Sequence, residues 1–228
     1  MTKNITFTDI FNLNLFPPKP SVKNVPNWYK DTPEYLGDQG KKWINNTTPH
    51  TIKKCIPVFD AITAGYILYT QVDVQVIQED NIPFYSWPDQ NAIGFHPIEQ
   101  APLHPAKKET PYPKWQNPYA ITTPPGYSIL FTQPMHRESV FTILDGIVDT
   151  DTYKAPVNFP FVLKDNKWEG VIPAGTPMAQ VIPFKRESWE HKIGSDKERI
   201  ELTKVNGKLQ SFLFNSYKLQ FWSAKTYR

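Results

Sequence analysis

The chain has 228 residues, enough to bury one substantial core, and 39% hydrophobic with 14% aromatic content is too apolar for a disordered segment. Its 25 basic and 22 acidic side chains leave a formal charge of +3, so no dominating field directs it to nucleic acid, and the pairs Lys41-Lys42, Lys53-Lys54 and Lys107-Lys108 read as solvated surface. The single cysteine, Cys55, excludes an intrachain disulfide and a cysteine-rich zinc site, while 23 prolines, about twice ordinary usage, favour extended segments over long helices.

The amino end, MTKNITFTDIFNLNLF, lacks the basic-then-apolar-then-small order of a secretory signal. No apolar run approaches the roughly 20 residues of a membrane span. The expected setting is therefore a cytoplasm, the cell's own or an infected host's, with no membrane partner. Residues 1–50, studded with Pro17, Pro18, Pro20, Pro26 and Pro33 and carrying Trp28-Tyr29, are expected to wrap over the main body or a neighbouring subunit.

Ile52–Phe59 reads as a strand, with Cys55 an ordinary core or edge thiol, and Asp60 to Gly65 as a turn. Tyr66–Ile77 reads as one long strand, since Val72, Val74 and Val76 alternate with Gln71, Asp73 and Gln75. Residues 81–125 are dense in proline and include Trp87, His96, His104 and Trp115; they are expected to form a long insertion packed on the sheet, with Asn91–Phe95 a short strand.

Short strands then follow in series: Tyr127–Thr132 after the Pro124-Pro125-Gly126 turn, and Val140–Val148 broken at Asp145-Gly146, a pair suited to positive φ. Next comes Val157–Leu163, where Pro160 removes a ladder donor and suggests an edge or bulge. A polar turn at Lys164 to Lys167 precedes Trp168–Ile172; Pro173 to Thr176 turns again, and Met178–Phe184 closes the series. This spacing, without helical periods between, predicts an all-β antiparallel sandwich or barrel. After Arg186 the chain becomes mixed in charge. Ser195-Asp196 reads as a helix start broken by Gly207, and Leu209–Phe221 as a carboxy-terminal helix.

Three pieces in order, TAGYILYTQVDVQV (Thr63 to Val76), DGIVDTDTYKAPV (Asp145 to Val157) and IPAGTPMAQVIPF (Ile172 to Phe184), resemble the first, third and fourth motifs of the dUTPase family. The resemblance implies a dUTPase-like (β-clip) fold, a homotrimer, and dUTP hydrolysis at sites shared between subunits. Asp149 falls where the family has the aspartate that orients the attacking water. Tyr153 falls near the aromatic that stacks under the deoxyribose, with the spacing lengthened by Thr152. Arg137, with Ser139, falls where an Arg-Ser pair contacts phosphate, although Glu138 lies between them and the interval to Asp149 is short. In the first motif the acidic residue expected after the glycine-aromatic pair is Ile67, and no glycine-rich arm follows Gly175. The whole chain also resembles uncharacterised proteins of marine bacteriophages.

Asp149, Tyr153 and Arg137 are thus catalytic candidates only if the chain is an enzyme, and magnesium is implied only in that case; otherwise no cofactor is expected. Asp149 and Asp151 are equally ordinary turn residues that cap local backbone. The preferred expectation is a non-enzymatic structural or binding protein of a phage particle, its partners being its own copies and other virion or assembly proteins. A nucleotide pyrophosphohydrolase is the alternative. A cupin-type metal enzyme using His96, Glu99 and His104 is a third, although these residues lack that family's paired histidine spacing. The organisation expected is an amino-terminal wrap (1–50), a β domain (51–186) interrupted by the proline-rich insertion (81–125), and a helical tail (187–228).

Overall fold

The computed structural model describes residues 3–13, 15–36, 50–88, 92–100, 104, 105, 110–211 and 216–228. Two compact units are distinguished: one holds Met1–Asn24, Ile62–Arg186 and Tyr227, the other Val25–Ala61, Glu187–Thr226 and Arg228.

The first unit is built of strands. In chain order they are β1 (Thr6–Asp9), β2 (Lys19–Pro20), β3 (Tyr66–Tyr69), β4 (Val74–Glu79), β5 (Ile82–Ser86), β6 (Ile93–His96) and β7 (Tyr112–Trp115). They continue with β8 (Tyr119–Thr122), β9 (Tyr127–Thr132), β10 (Phe141–Ile143), β11 (Gly146–Val148), β12 (Phe159–Leu163), β13 (Gly170–Ile172) and β14 (Pro177–Lys185). Every pairing between them is antiparallel. The sheets run β11-β9-β14-β3-β2, β10-β12-β7-β6, β13-β4-β5 and β1-β8. All four sheets contribute side chains to one buried cluster, including Leu68, Val76, Trp115, Ile121, Phe131, Phe161, Ile172 and Val181. Within it Trp115 stacks on Phe161 at 4.7 Å and 15°, an offset aromatic contact that adds to plain area burial.

The alternating run Tyr66–Ile77 is two strands, not one. β3 pairs with β14, and β4 with β13, so one ladder bends from the five-stranded into the three-stranded sheet. The bend is locked by polar groups: Thr70 Oγ1 donates to Pro173 O at 2.8 Å, Asp73 Oδ1 accepts from Ala174 N–H at 2.7 Å, and Gly175 N–H donates to Thr70 O at 2.8 Å. Val74 and Val76 still face inward while Gln75 is exposed, as the alternation requires. A second corner lies at Leu144-Asp145, where the chain passes from β10 in one sheet to β11 in another. Gly146 reaches it without a positive φ; among the described residues the glycines with positive φ are Gly65, Gly126, Gly170 and Gly175.

Residues 81–125 carry β5 to β8 rather than an irregular loop laid on the sheet, and Ile93, Tyr112, Trp115, Tyr119 and Ile121 are buried. Their strands are short and proline-interrupted, which hides the period, yet Pro113 sits in the β6–β7 ladder opposite Phe95. β12 is an internal strand, flanked by β10 and β7. Pro160 is accommodated because β7 covers only Phe159 and Pro160 while β10 covers Phe161 to Leu163, and its carbonyl accepts from Leu144 N–H at 2.8 Å.

The second unit is helical. It contains α1 (Asn27–Asp31), most of α2 (Ile56–Thr63), α3 (Asp196–Ser211) and α4 (Ser216–Gln220). The strand expected at Ile52–Phe59 is a 3-10 turn (Ile52–Lys54) followed by α2, and exposed Cys55 joins them. Thr51 Oγ1 accepts from Lys53 N–H at 3.2 Å, and Pro57 lies in the first turn of α2, where its missing N–H costs nothing. These local signals override the β-branched composition. Tyr29 is buried, stacks on Phe59 at 6.0 Å and donates its hydroxyl to Lys53 O at 3.2 Å.

α3 opens with a capping box: Ser195 Oγ accepts from Glu198 N–H at 3.4 Å, and the Glu198 carboxylate accepts from Ser195 N–H at 2.7 Å. It runs through Gly207, which therefore does not end it. The helix expected over Leu209–Phe221 is met by the last residues of α3 and by α4; residues 212–215 lie outside the described residues. Among the described residues, no helix is long and apolar enough to cross a membrane.

Candidate functional site

Asp149 follows β11 directly, and the chain turns there because one carbonyl gathers several donors. Asp149 O accepts from Tyr153 N–H at 2.8 Å, Thr152 N–H at 3.1 Å and Thr152 Oγ1 at 3.1 Å. Thr150 is buried under the turn, its hydroxyl 2.8 Å from that of Thr123. The arrangement fixes Asp149, Asp151 and Tyr153 relative to the start of β9, with β14 ending alongside because β9 pairs with both β11 and β14.

Arg186, just after β14, is the hub. Its Nη1 donates to Asp151 Oδ1 at 2.9 Å and lies 3.2 Å from Asp149 Oδ1, while Nη2 pairs with Asp151 Oδ2. Asp149 Oδ1 also accepts from Ser128 Oγ at 2.6 Å, and Asp151 Oδ2 from Gly126 N–H at 2.8 Å. The hydrogen bond and charge of Arg186, helped by Gly126, hold the Asp151 carboxyl down to about 2. Asp151 is therefore ionised and spent on local structure. Asp149 keeps 59% of its side-chain surface open, and Tyr153 is 48% exposed, so these two face solvent from the same turn.

Arg137 is placed differently. Its Nη2 donates to Asn24 O at 2.7 Å and Ile62 O at 3.1 Å, its Nη1 to Met135 O at 3.2 Å, and its Nε to Asn24 O at 3.3 Å. Burial lowers its pKa from the ordinary arginine value, opposed by the nearby Tyr69. The guanidinium thus joins the end of a 3-10 turn at Ser21–Asn24, the Ile62 carbonyl and the Met135 turn, and its hydrogen bonds do not reach Asp149 or Tyr153. Ile67, at the position where the resemblance implies an acidic residue, is a fully buried β3 core residue. Ile67 offers no oxygen to a cation, and Asp149 Oδ1 is engaged by Ser128 Oγ and Arg186 Nη1. Among the described residues, no three His, Cys, Asp or Glu side chains gather as a metal site; His96 closes β6 and Glu99 lies in the following 3-10 turn.

Sequence reasoning named Asp149, Tyr153 and, as a turn residue that caps backbone, Asp151, whose carboxylate does accept from Gly126 N–H; it missed Ser128 and above all Arg186. The signal available was positional: an arginine directly after the last strand, opposite a Pro-Pro-Gly turn that leaves a backbone N–H to be satisfied.

No known protein family matches the sequence, and no curated protein matches it. Thirteen solved chains are similar in structure. One is native EIAV dUTPase, 14% identical, spanning 71% of this chain and 95% of that one with a TM-score of 0.33.

Proposed function

We propose that the chain is a non-catalytic structural or binding protein built as a dUTPase-like antiparallel sandwich, assembling as a homotrimer and working among its own copies and other particle proteins. The motif segments support the fold reading, because β3, β11 and β14 share one sheet. The observation that carries the non-catalytic reading is Arg137: the side chain aligned with the phosphate-binding arginine spends its donors on three backbone carbonyls. Assembly is supported by large apolar side chains left in water, among them Trp189 at 88% and Ile193 at 94% exposure. Resemblance to marine bacteriophage proteins supplies the expected context, a virion or its assembly.

A deoxynucleoside triphosphate hydrolysis assay with magnesium tests this directly, and no turnover is expected. Light scattering is expected to give three times 26.4 kDa, about 79 kDa; a monomer defeats the assembly reading. A second reading, a nucleotide pyrophosphohydrolase with a remodelled site, is favoured by the open Asp149 carboxylate beside exposed Tyr153. Turnover abolished by Asp149→Ala establishes it in place of the first.

A further inference from the structure

Residues 188–194, SWEHKIG, lie between β14 and α3 without strand or helix, and every one of them is exposed. They form no hydrogen bond or ion pair among the described residues, Lys192 included. The run is fixed at both ends: Arg186 N–H donates to Gly126 O at 2.8 Å and its guanidinium pairs with Asp151, while Ser195 is closed into the capping box of α3. An endopeptidase holds several substrate residues like an added strand, which demands free backbone groups and unpacked side chains. Basic residues within strands and helices fail that demand: Lys185 lies in β14 opposite Tyr127, and Lys204 lies in α3, so the chain must open locally there before it can be cut. Residues 188–194 need no such opening.

The chain beyond this run has a separate hold. Asp60, in α2, accepts from the Trp222 indole N–H at 3.1 Å through Oδ1 and 3.0 Å through Oδ2, and from Lys225 Nζ at 2.6 Å. The Asp60 side chain is only 19% exposed, so this charged acceptor is better shielded than an open surface pair. Asp60 precedes the run in the chain and both donors follow it, so a break within residues 188–194 leaves all three contacts in place.

We propose that the bond between Lys192 and Ile193 is a processing site for an endopeptidase that selects a basic side chain, and that the cut chain stays together because Asp60 retains residues 193–228. Water adds across the amide: the C–N bond breaks, Lys192 keeps the carbonyl as a carboxylate, and Ile193 leaves as an ammonium. The cut concerns the chain before its copies meet, since an assembly that covers Trp189 and Ile193 shields the bond; the site therefore goes beyond the assembly reading and does not depend on it. The full chain is digested briefly with trypsin over a concentration series, and the pieces are read by mass spectrometry. Expected is cutting after Lys192 at least about tenfold faster than after basic residues within strands or helices. Lys192→Gln and Ile193→Pro, both at exposed positions, are expected to remove that cut and leave the rest of the digest unchanged. The nicked protein is expected to elute as one species in gel filtration and to separate into two pieces only in denaturant. Asp60→Ala is expected to raise the freed share of residues 193–228 at least about fivefold, and Lys225→Met, on the more open side of the pair, to act in the same direction. A bond after Lys192 that stays intact at every concentration, or opens no faster than bonds inside strands and helices, overturns the site. A piece shed by the parent chain, or retained undiminished in both the Asp60 and Lys225 variants, overturns the hold.

Discussion

Removing the Arg137 guanidinium separates structure from chemistry most sharply. In Arg137→Met the stem keeps its packing, but the carbonyls of Asn24, Ile62 and Met135 lose their donors. Hydrogen bonds to a charged group contribute about 1.5–3 kcal/mol each, and an orphaned acceptor costs about 1–3 kcal/mol. Three acceptors set an upper range near 9 kcal/mol, from which the relief of burying a charge and partial water access subtract. The expected loss is about 3–5 kcal/mol, a large share of the roughly 5–15 kcal/mol available to a native protein. In urea, with a slope near 3 kcal/mol per molar, the midpoint falls by about 1–2 M. Arg137→Lys retains charge without the fork and is expected to recover about half of that. A midpoint for Arg137→Met within about 0.2 M of the parent, together with lost nucleotide binding, refutes the structural assignment and returns the arginine to a phosphate role.

Three other outcomes are expected. The Asp151 carboxyl sits at about 2 when folded against an ordinary 3.8, so the stability it contributes is complete above about pH 4 and lost as pH falls through about 2; acid unfolding followed by fluorescence should lose that step in Asp151→Asn. Gly65 has φ +63° and no room for a side chain, since a Cβ would collide with the Val181 carbonyl oxygen; Gly65→Ala should cost about 3 kcal/mol or more in thermal unfolding, and a cost below about 1 kcal/mol would rule out this close approach of Gly65 to the β14 backbone. Ser195→Ala removes half of the capping box and should lower α3 stability by about 1 kcal/mol, read as lost helical signal in circular dichroism, with Ser195→Asp restoring it.

The parts of the fold legible in the sequence are those where one period runs for several residues between clear turns. β9 is found at Tyr127–Thr132 as expected, and β14 spans the run that closes the series, because both are hydrogen-bonded on two sides and filled with bulky residues. Alternation across Val72 to Val76 located the right residues but not the corner, because a bent ladder keeps its side-chain period while changing sheets. The α2 segment was misread as a strand for the opposite reason: its capping threonine and first-turn proline are weak local signals beside a run of β-branched residues. β5 to β8 were obscured because proline density resembles loop composition, whereas Pro83 and Pro113 sit within ladders, opposite Gln78 and Phe95.

The site follows the same logic of satisfied groups. A turn of Pro124, Pro125 and Gly126 leaves the Gly126 N–H without a strand partner, Asp151 accepts it, and Arg186 neutralises the charge this brings under the surface. Asp149 is drawn into that network through Ser128 and Arg186, so its carboxylate is held by the same contacts that close the β9–β14 end of the sheet. Turning Asp149 Oδ1 away would cost one hydrogen bond from Ser128 and one ion pair with Arg186, whereas the bonds that close the turn itself go to the Asp149 backbone carbonyl.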